Sequence, residues 1–273
     1  MIEVKTAYGY TGFGRSVYSD EWCLFPSAQM HEVGHNLGLD HSSENGLEYG
    51  DLTDIMGSST SLHHEYPKMC FNGVKSWALG WYDDKSASID LDVNGQDSWS
   101  ADFVGVSDYL ETSNDEQIVV AELITNNDSN EDDDIQNHYI LYNRKEGINR
   151  QVMQYPNMIT ITKSHFESTA DSIIEMNPSE MVAHLSVGES HVFPNHRNKG
   201  VDLIIKFCHI EENDESPSYA TVSAYFSSGI DPCPYIETSA PISAPISAPV
   251  EPSGALKCFQ RLFQKAVRYM LAI

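Results

Sequence analysis

Basic residues are scarce in this chain of 273 residues, where 16 lysines and arginines stand against 40 aspartates and glutamates. The formal net charge is -24 at pH 7. A field of this sign repels phosphate backbones and anionic membranes, so the composition argues against nucleic-acid binding and favours neutral or cationic partners. The same acidity is typical of a soluble protein with an acidic surface, so charge alone selects no substrate.

Cysteines and long apolar runs are few as well. The five cysteines are too dispersed for a zinc ribbon or a C-x-x-C redox pair, which argues against metal binding by sulfur. No run of about 18 apolar residues predicts a membrane span. The start, MIEVKTAYGY, has neither the basic nor the apolar region of a secretory signal. Since 41% of the residues are hydrophobic, we still expect a globular protein with a buried core.

Composition divides the chain into parts. Residues 1–85 carry a helix signal at 30–39 between glycine-rich and aromatic flanks. Residues 86–230 alternate short β-rich runs with Asn, Asp, Ser and Gly, which predicts a β-sandwich-like domain. The clearest predicted strands are 118–124, 138–142, 158–163, 201–210 and 219–226. The fold class predicted from these signals is α+β.

The last part of the chain is of a different kind. Residues 231–254 contain the repeat SAPISAPISAPVEPS, which predicts an extended Pro/Ser/Ala linker. Residues 255–273 place apolar and basic side chains on separate faces, which predicts a basic amphipathic helix. Docking of this helix onto the acidic body, onto a partner or onto a membrane surface stays open.

An acidic stretch, NNDSNEDDD at residues 126–134, lies between two predicted strands. We interpret it as a solvated loop. Its clustered carboxylates make a calcium (Ca²⁺) site the weaker alternative.

Chemistry is concentrated in residues 30–42, MHEVGHNLGLDHS, which match H-E-x-x-H-x-x-G-x-x-H at every specified position. On a helix, His31 and His35 project from one face and can converge on one ion. Gly38 can adopt positive φ, end the helix and turn the chain so that His41 approaches from another direction. Three neutral imidazoles suit one zinc ion (Zn²⁺) and leave a fourth position for water, whose pKa zinc lowers to about 7.

Glu32 follows the first of these histidines, where its carboxylate can take a proton from that zinc-bound water and pass it to the leaving amine. The predicted reaction is peptide-bond hydrolysis without a covalent acyl-enzyme. A short H-E-x-x-H also arises by chance on ordinary amphipathic helices. The added Gly38 and His41 favour the zinc site over that alternative.

A methionine follows the histidines in the sequence Asp54-Ile55-Met56-Gly57. This pattern is typical of a Met-turn, in which the methionine forms an apolar floor under the metal. The alternative is a core methionine that fills a gap. The upstream histidines favour the first interpretation for Met56.

Three segments together resemble the gametolysin family of metzincin peptidases: HEVGHNLGLDHS, YGDLTDIMG at residues 49–57 and CFNGVKSWALGW at residues 70–81. The first segment alone is also similar to matrixins, but the other two favour gametolysin. HYILYNRKEGINR at residues 138–150 and SYATVSAY at residues 218–225 resemble the region that follows the catalytic domain in that family. The resemblance covers about residues 5–228.

This resemblance implies a secreted, extracellular or cell-wall metalloendopeptidase that acts on matrix or wall proteins and glycoproteins. It implies a zincin-like catalytic domain with a central zinc helix, which we expect to be partial in residues 1–85 because few residues precede His31. The alternative is a catalytically inactive zinc-binding or adhesion module that lacks the upper catalytic subdomain. Residues 15–22 would supply the edge strand on which an extended substrate adds.

Two disulfide bonds are hypotheses that accompany the resemblance. One would join Cys23 to Cys70, and the other would join Cys208 to Cys233 at the end of the sandwich. Because the cysteine count is odd, Cys258 is the candidate for an unpaired thiol.

Overall fold

The computed structural model of the chain describes residues 7–12, 14–57, 69–92, 95–112, 116–125, 137–164, 166–168, 174–212 and 217–233. The strands are β1 (Ala7–Gly9), β2 (Ser16–Tyr18), β3 (Ser42–Ser43), β4 (Ser86–Ile89), β5 (Ser98–Val104), β6 (Val120–Leu123), β7 (His138–Asn143), β8 (Met158–Lys163), β9 (Phe166–Ser168), β10 (Ile174–Met176), β11 (Ser179–Leu185), β12 (Ser190–Phe193), β13 (Leu203–Glu211) and β14 (Tyr219–Phe226). The α-helices are α1 (Pro26–Asn36) and α2 (Gly73–Ala78), and 3-10 helices cover Asp20–Leu24, Asp83–Lys85, Gly147–Asn149 and His196–Asn198. The α+β prediction is confirmed, and among the described residues strands are more abundant than helices.

Two larger sheets form the β-rich part. One has six strands in the order β3-β11-β8-β7-β6-β4, and the other has four in the order β12-β13-β14-β5. Apolar side chains of both sheets share one core, with Ile140, Phe207 and Val222 fully buried in it. This packing agrees with the predicted sandwich, and each of the five strands expected from the sequence is present within a few residues.

The six-stranded sheet is covered on both faces. Along β7, Ile140 and Tyr142 face the core shared with the four-stranded sheet, whereas Tyr139 and Leu141 face a second core. The alternation follows from the two-residue period of a strand. The second core contains residues of α1 and α2, so the zinc-motif segment packs directly on the sheet.

Strand β3 ties the motif segment into that sheet. Immediately after His41, Ser42 and Ser43 pair in parallel with Ser179 and Glu180 of β11. The core and the sheet therefore extend across residue 85. The division into domains at that residue stays a prediction.

Two sequence predictions need correction, and four others lie in parts of the chain that the structure does not describe. The helix expected at 30–39 is α1, which begins and ends earlier because Pro26 is its first residue and the chain turns at Gly38. The edge strand expected at 15–22 is shorter, since β2 ends at Tyr18 and a 3-10 helix follows. The acidic stretch 126–134, the linker from 234 onward, the helix 255–273 and Cys258 lie outside the described residues.

The two disulfide hypotheses have opposite outcomes. Cys208 and Cys233 form a disulfide with their Cα atoms 5.4 Å apart, which ties the segment that follows β14 back to β13. The bond between Cys23 and Cys70 is wrong, because Cys23 is exposed in a 3-10 helix while Cys70 is buried in the core beneath α1. No described helix has the length and apolar character needed to cross a membrane.

Candidate metal centre

Helix α1 presents the first two histidines. Pro26 occupies its first turn, where the missing N–H costs nothing. At the other end Gly38 has φ of 89°. Its N–H donates to His35 O at 2.9 Å and the N–H of Leu39 donates to Gly34 O at 3.1 Å, the pair of bonds of a Schellman motif. The chain thereby leaves the helix axis just before His41.

The three histidines meet at one place. One ring nitrogen from each of His31, His35 and His41 lies within 4.8 Å of the other two. The ring centroids are 5.0 Å apart for His31 and His35, 4.9 Å for His35 and His41, and 5.5 Å for His31 and His41. The structure thus brings together the residues that the motif singled out.

Hydrogen bonds fix which nitrogen of each ring is available. His31 Nδ1 lies 2.9 Å from Ile55 O, and His35 Nδ1 lies 2.8 Å from Leu39 O. Because a carbonyl oxygen only accepts, both Nδ1 atoms carry the proton and donate. His41 Nδ1 donates to Glu48 Oε1 at 2.7 Å. Each Nε2 therefore keeps the lone pair that a metal ligand needs.

Burial favours the neutral form of the two imidazoles on α1. Desolvation lowers the pKa of His31 to about 4 and also lowers the pKa of His35. Neutral rings at physiological pH suit a divalent cation, since a protonated imidazole has no lone pair to offer.

Glu32 lies beside this cluster on α1 and is 5% exposed. Desolvation raises the pKa of its carboxyl to about 7, and a hydrogen bond from the Gly9 N–H opposes the shift. Among the described atoms, Glu32 Oε2 is buried and has no hydrogen-bond partner. A buried orphan oxygen of this kind marks a place where water or another group is bound.

Met56, the predicted floor residue, packs against α1. Its side chain is fully buried, and a Cβ added at Gly34 would lie 2.3 Å from Met56 Sδ. Only glycine therefore permits this approach of the turn to α1. Two bonds hold the turn in place: Met56 N–H donates to Asp54 Oδ1 at 2.9 Å, and Ser42 N–H donates to Met56 O at 3.1 Å.

A buried charged network, which sequence reasoning missed, lies behind His41. Lys75 of α2 is fully buried, and its Nζ lies 3.2 Å from Asp54 Oδ2. The same ammonium donates to Ser42 Oγ at 2.6 Å and to His41 O at 3.3 Å. One cation thus joins the third histidine to the Met56 turn. Lysine in a short helix carries no sequence signal for such a role.

Asp51 is the second buried acid of this network. It accepts from Thr53 N–H at 2.9 Å and from Asn72 Nδ2 at 3.2 Å. Burial, with the neighbouring Asp54 as a further cause, raises the pKa of Asp51 to about 6. The acids and Lys75 together connect the motif segment to α2.

Tyr49 is an additional residue at the site. Its ring centroid lies 4.2 Å from that of His41, and the residue is 42% exposed. Burial raises the pKa of the Tyr49 hydroxyl, and the negative charge of Glu48 is the next largest cause. The hydroxyl can therefore donate a hydrogen bond on the open side of the cluster.

Comparison with protein families decides where this site belongs. The model of the gametolysin peptidase M11 family matches residues 8–187, well over half of the chain. The chain belongs to this family. The matched range of this gametolysin-family chain includes α1, the three histidines, Glu32 and Met56, as well as all six strands of the six-stranded sheet.

A curated relative is an autolysin from Chlamydomonas reinhardtii, which is 40% identical over 52 residues. The aligned part is 19% of this chain and 8% of the autolysin, so the chain spans only a small part of the length of that relative. No solved structure matches the chain. The metzincin-like arrangement stays a prediction.

Proposed function

We propose that this chain is a zinc-dependent endopeptidase, in which His31, His35 and His41 hold one zinc ion and Glu32 is the general base. One observation supports it above the others. Three imidazole nitrogens lie within 4.8 Å of one another while the opposite nitrogen of each ring is committed to a hydrogen bond. This nitrogen-only donor set fits zinc.

Zinc bound there supplies a Lewis acid that polarises a carbonyl and lowers the pKa of water to about 7. The proton transfers are carried out by a residue of the chain itself. Glu32 takes a proton from the attacking water on its orphan Oε2 and delivers it to the leaving amine. Its raised pKa suits both steps, because the carboxyl then accepts and releases a proton near neutral pH.

Neighbouring residues hold this arrangement. Glu48 orients the His41 ring through Nδ1, and Met56 closes the underside against α1. Tyr49, on the exposed side, offers its hydroxyl to the carbonyl oxygen on which negative charge grows.

The proposed substrates are proteins or glycoproteins of an extracellular matrix or cell wall, and the proposed location is extracellular. The name of the autolysin relative supports this part of the proposal. Family membership supports a protein substrate.

The test is cleavage of denatured casein by the full chain, with zinc content measured on the same samples. We expect about one zinc per chain, loss of cleavage with chelator and recovery on adding zinc. Glu32→Gln should keep the zinc while cleavage falls by about 10²–10⁴-fold, because the general base is removed. Glu211→Gln, at an exposed position in β13, is the matched control and should cleave normally.

The outcomes separate the hypotheses. Unchanged cleavage by Glu32→Gln would exclude Glu32 as the base. A wild-type chain that holds zinc yet cleaves nothing would instead be the zinc-binding or adhesion module.

A further inference from the structure

A groove of about 620 Å³ begins at the turn that follows the third histidine. Glu44 and Asn45 of this turn line the groove, and Leu47 N–H closes the turn by donating to Glu44 O at 2.9 Å. The same short segment carries Glu48 and Tyr49, which contact His41. The groove and the metal centre therefore share one wall.

An open strand edge forms one side of the groove. Strand β3 pairs only with Ser179 and Glu180, at the start of β11. Within the described ranges, no strand covers that side of β11 from Met181 to Leu185, and this stretch lines the groove. Val182 is the bulged residue of β11 and has no partner in β8. Unpaired strand backbone is a template for another extended chain.

A second strand edge faces the groove from the other sheet. Strand β12 is the outermost strand of the four-stranded sheet, and its residues Ser190 and His191 line the groove. The groove thus lies between the edges of two sheets. A segment in extended conformation can lie in this groove and add to such a strand edge by backbone hydrogen bonds.

The groove also has a rigid wall built around Tyr155. This residue has φ of 50°, a left-handed conformation that is uncommon for a tyrosine. It is held there by Asn143 Nδ2, which donates to Tyr155 O at 2.8 Å. The Tyr155 ring stacks on His184 with centroids 3.7 Å apart, and its hydroxyl donates to Glu44 Oε1 at 2.7 Å. Strained residues of this kind persist where the surrounding structure fixes them, often at ligand sites.

The charge of the groove is one-sided. Glu44 and Glu189 line it, and among the residues that the structure describes no lysine or arginine does. The charge of the groove has the same sign as the net charge of the whole chain. Such a lining favours an occupant with basic side chains.

We propose that this groove is a second substrate site, which binds an extended, basic polypeptide segment by strand addition along β11. The inference rests on the proposed function, since it assigns the segment to the polypeptide that the metal centre cleaves. Backbone hydrogen bonds to β11 supply affinity, and Glu44 and Glu189 select lysine or arginine side chains.

Binding is tested on the full-length Glu32→Gln variant with chelator present, so that no cleavage occurs. The probe is a fluorescein-labelled peptide of about 14 alternating lysine and valine residues, and its glutamate–valine counterpart is the charge control. Fluorescence anisotropy should show that the basic peptide binds and the acidic one does not. N-methylation of alternate backbone amides in the basic peptide should weaken binding at least tenfold.

Two groove variants and two matched controls locate the site. Ser190→Trp fills the groove from an exposed position, and Glu189→Lys reverses one charge. Each should weaken binding at least tenfold. Ser228→Trp and Glu211→Lys make the same changes at exposed positions outside the groove and should bind normally. The proposal would be overturned if the basic and acidic peptides bound equally well. It would also be overturned if the two groove variants bound the basic peptide as tightly as the two controls.

Cleavage gives the second readout. In the zinc-loaded chain, Ser190→Trp should raise KM for a casein-derived peptide extended by the lysine–valine segment on either side. Cleavage of the unextended peptide should be unchanged. If the wild-type chain cleaves neither peptide, the proposed function fails while the binding result still decides the groove.

Discussion

The metal centre and the two-sheet body are stabilised in different ways. Around His41, buried polar atoms are held by a few specific partners, as Lys75 is by Asp54 and Ser42, across segments that have little regular structure. In the body, Ile205, Phe207 and Val222 are buried among other apolar side chains on paired strands. Apolar burial adds up over many contacts, whereas a buried charge depends on its particular partner. Removing a single side-chain group should therefore destabilise the metal centre more than the two-sheet body.

The largest effect is expected from Lys75→Met, which leaves the buried carboxylate of Asp54 without its cation. We expect a loss of about 3–5 kcal/mol in the free energy of unfolding, measured with urea, because an uncompensated buried charge is costly. Lys163→Met is the control, since its partly exposed pair with Glu180 should contribute about 0–1 kcal/mol. Similar losses in the two variants would remove the contrast between centre and surface.

The next effect concerns pH. Because burial raises the pKa of Asp51 to about 6, above the value of about 3.9 in an unfolded chain, the native state keeps a proton that the unfolded state loses between these values. The contribution of Asp51 to the free energy of unfolding therefore falls as pH rises from about 4 to 6. Urea unfolding at several pH values should show a steeper fall for the wild type than for Asp51→Asn. Parallel curves would contradict this.

Glu48→Ala separates metal binding from folding. Glu48 is 64% exposed on its side chain yet accepts from His41 Nδ1, so its loss should loosen the ring without unfolding the chain. We expect zinc affinity to fall by about 10–100-fold in competition with a chromogenic chelator. The metal-free stability should change by less than about 0.5 kcal/mol. An unchanged zinc affinity would show that His41 is oriented by other contacts.

The smallest effect is expected in the body. Ile205→Val removes one methylene from the shared core and should cost about 0.5–1.5 kcal/mol, with zinc affinity unchanged. Ile159→Val, on the facing sheet, should have a similar cost in stability and should also leave the zinc affinity unchanged. A marked loss of zinc affinity in either variant would show that the body and the centre are coupled more tightly than their packing suggests.

Much of the local structure could be predicted from the sequence. The periodic pattern of 158–163 and 219–226 predicts β8 and β14, because alternation along a strand depends only on neighbouring residues. The failed prediction at 15–22 has a local cause as well, since the chain enters a 3-10 helix after Tyr18. The Cys23–Cys70 hypothesis failed because burial of Cys70 depends on packing that no spacing encodes.

The sequence by itself determined the placement of the candidate metal ligands: two histidines one helical turn apart, a glycine that ends the helix, and a third histidine beyond it. These follow from chain geometry within a few residues. Only the tertiary structure decided that Lys75 contacts Ser179, 104 positions away, and that β3 leaves most of β11 open. Such contacts depend on how distant segments pack together, and the identity of a single lysine or serine does not encode its partner.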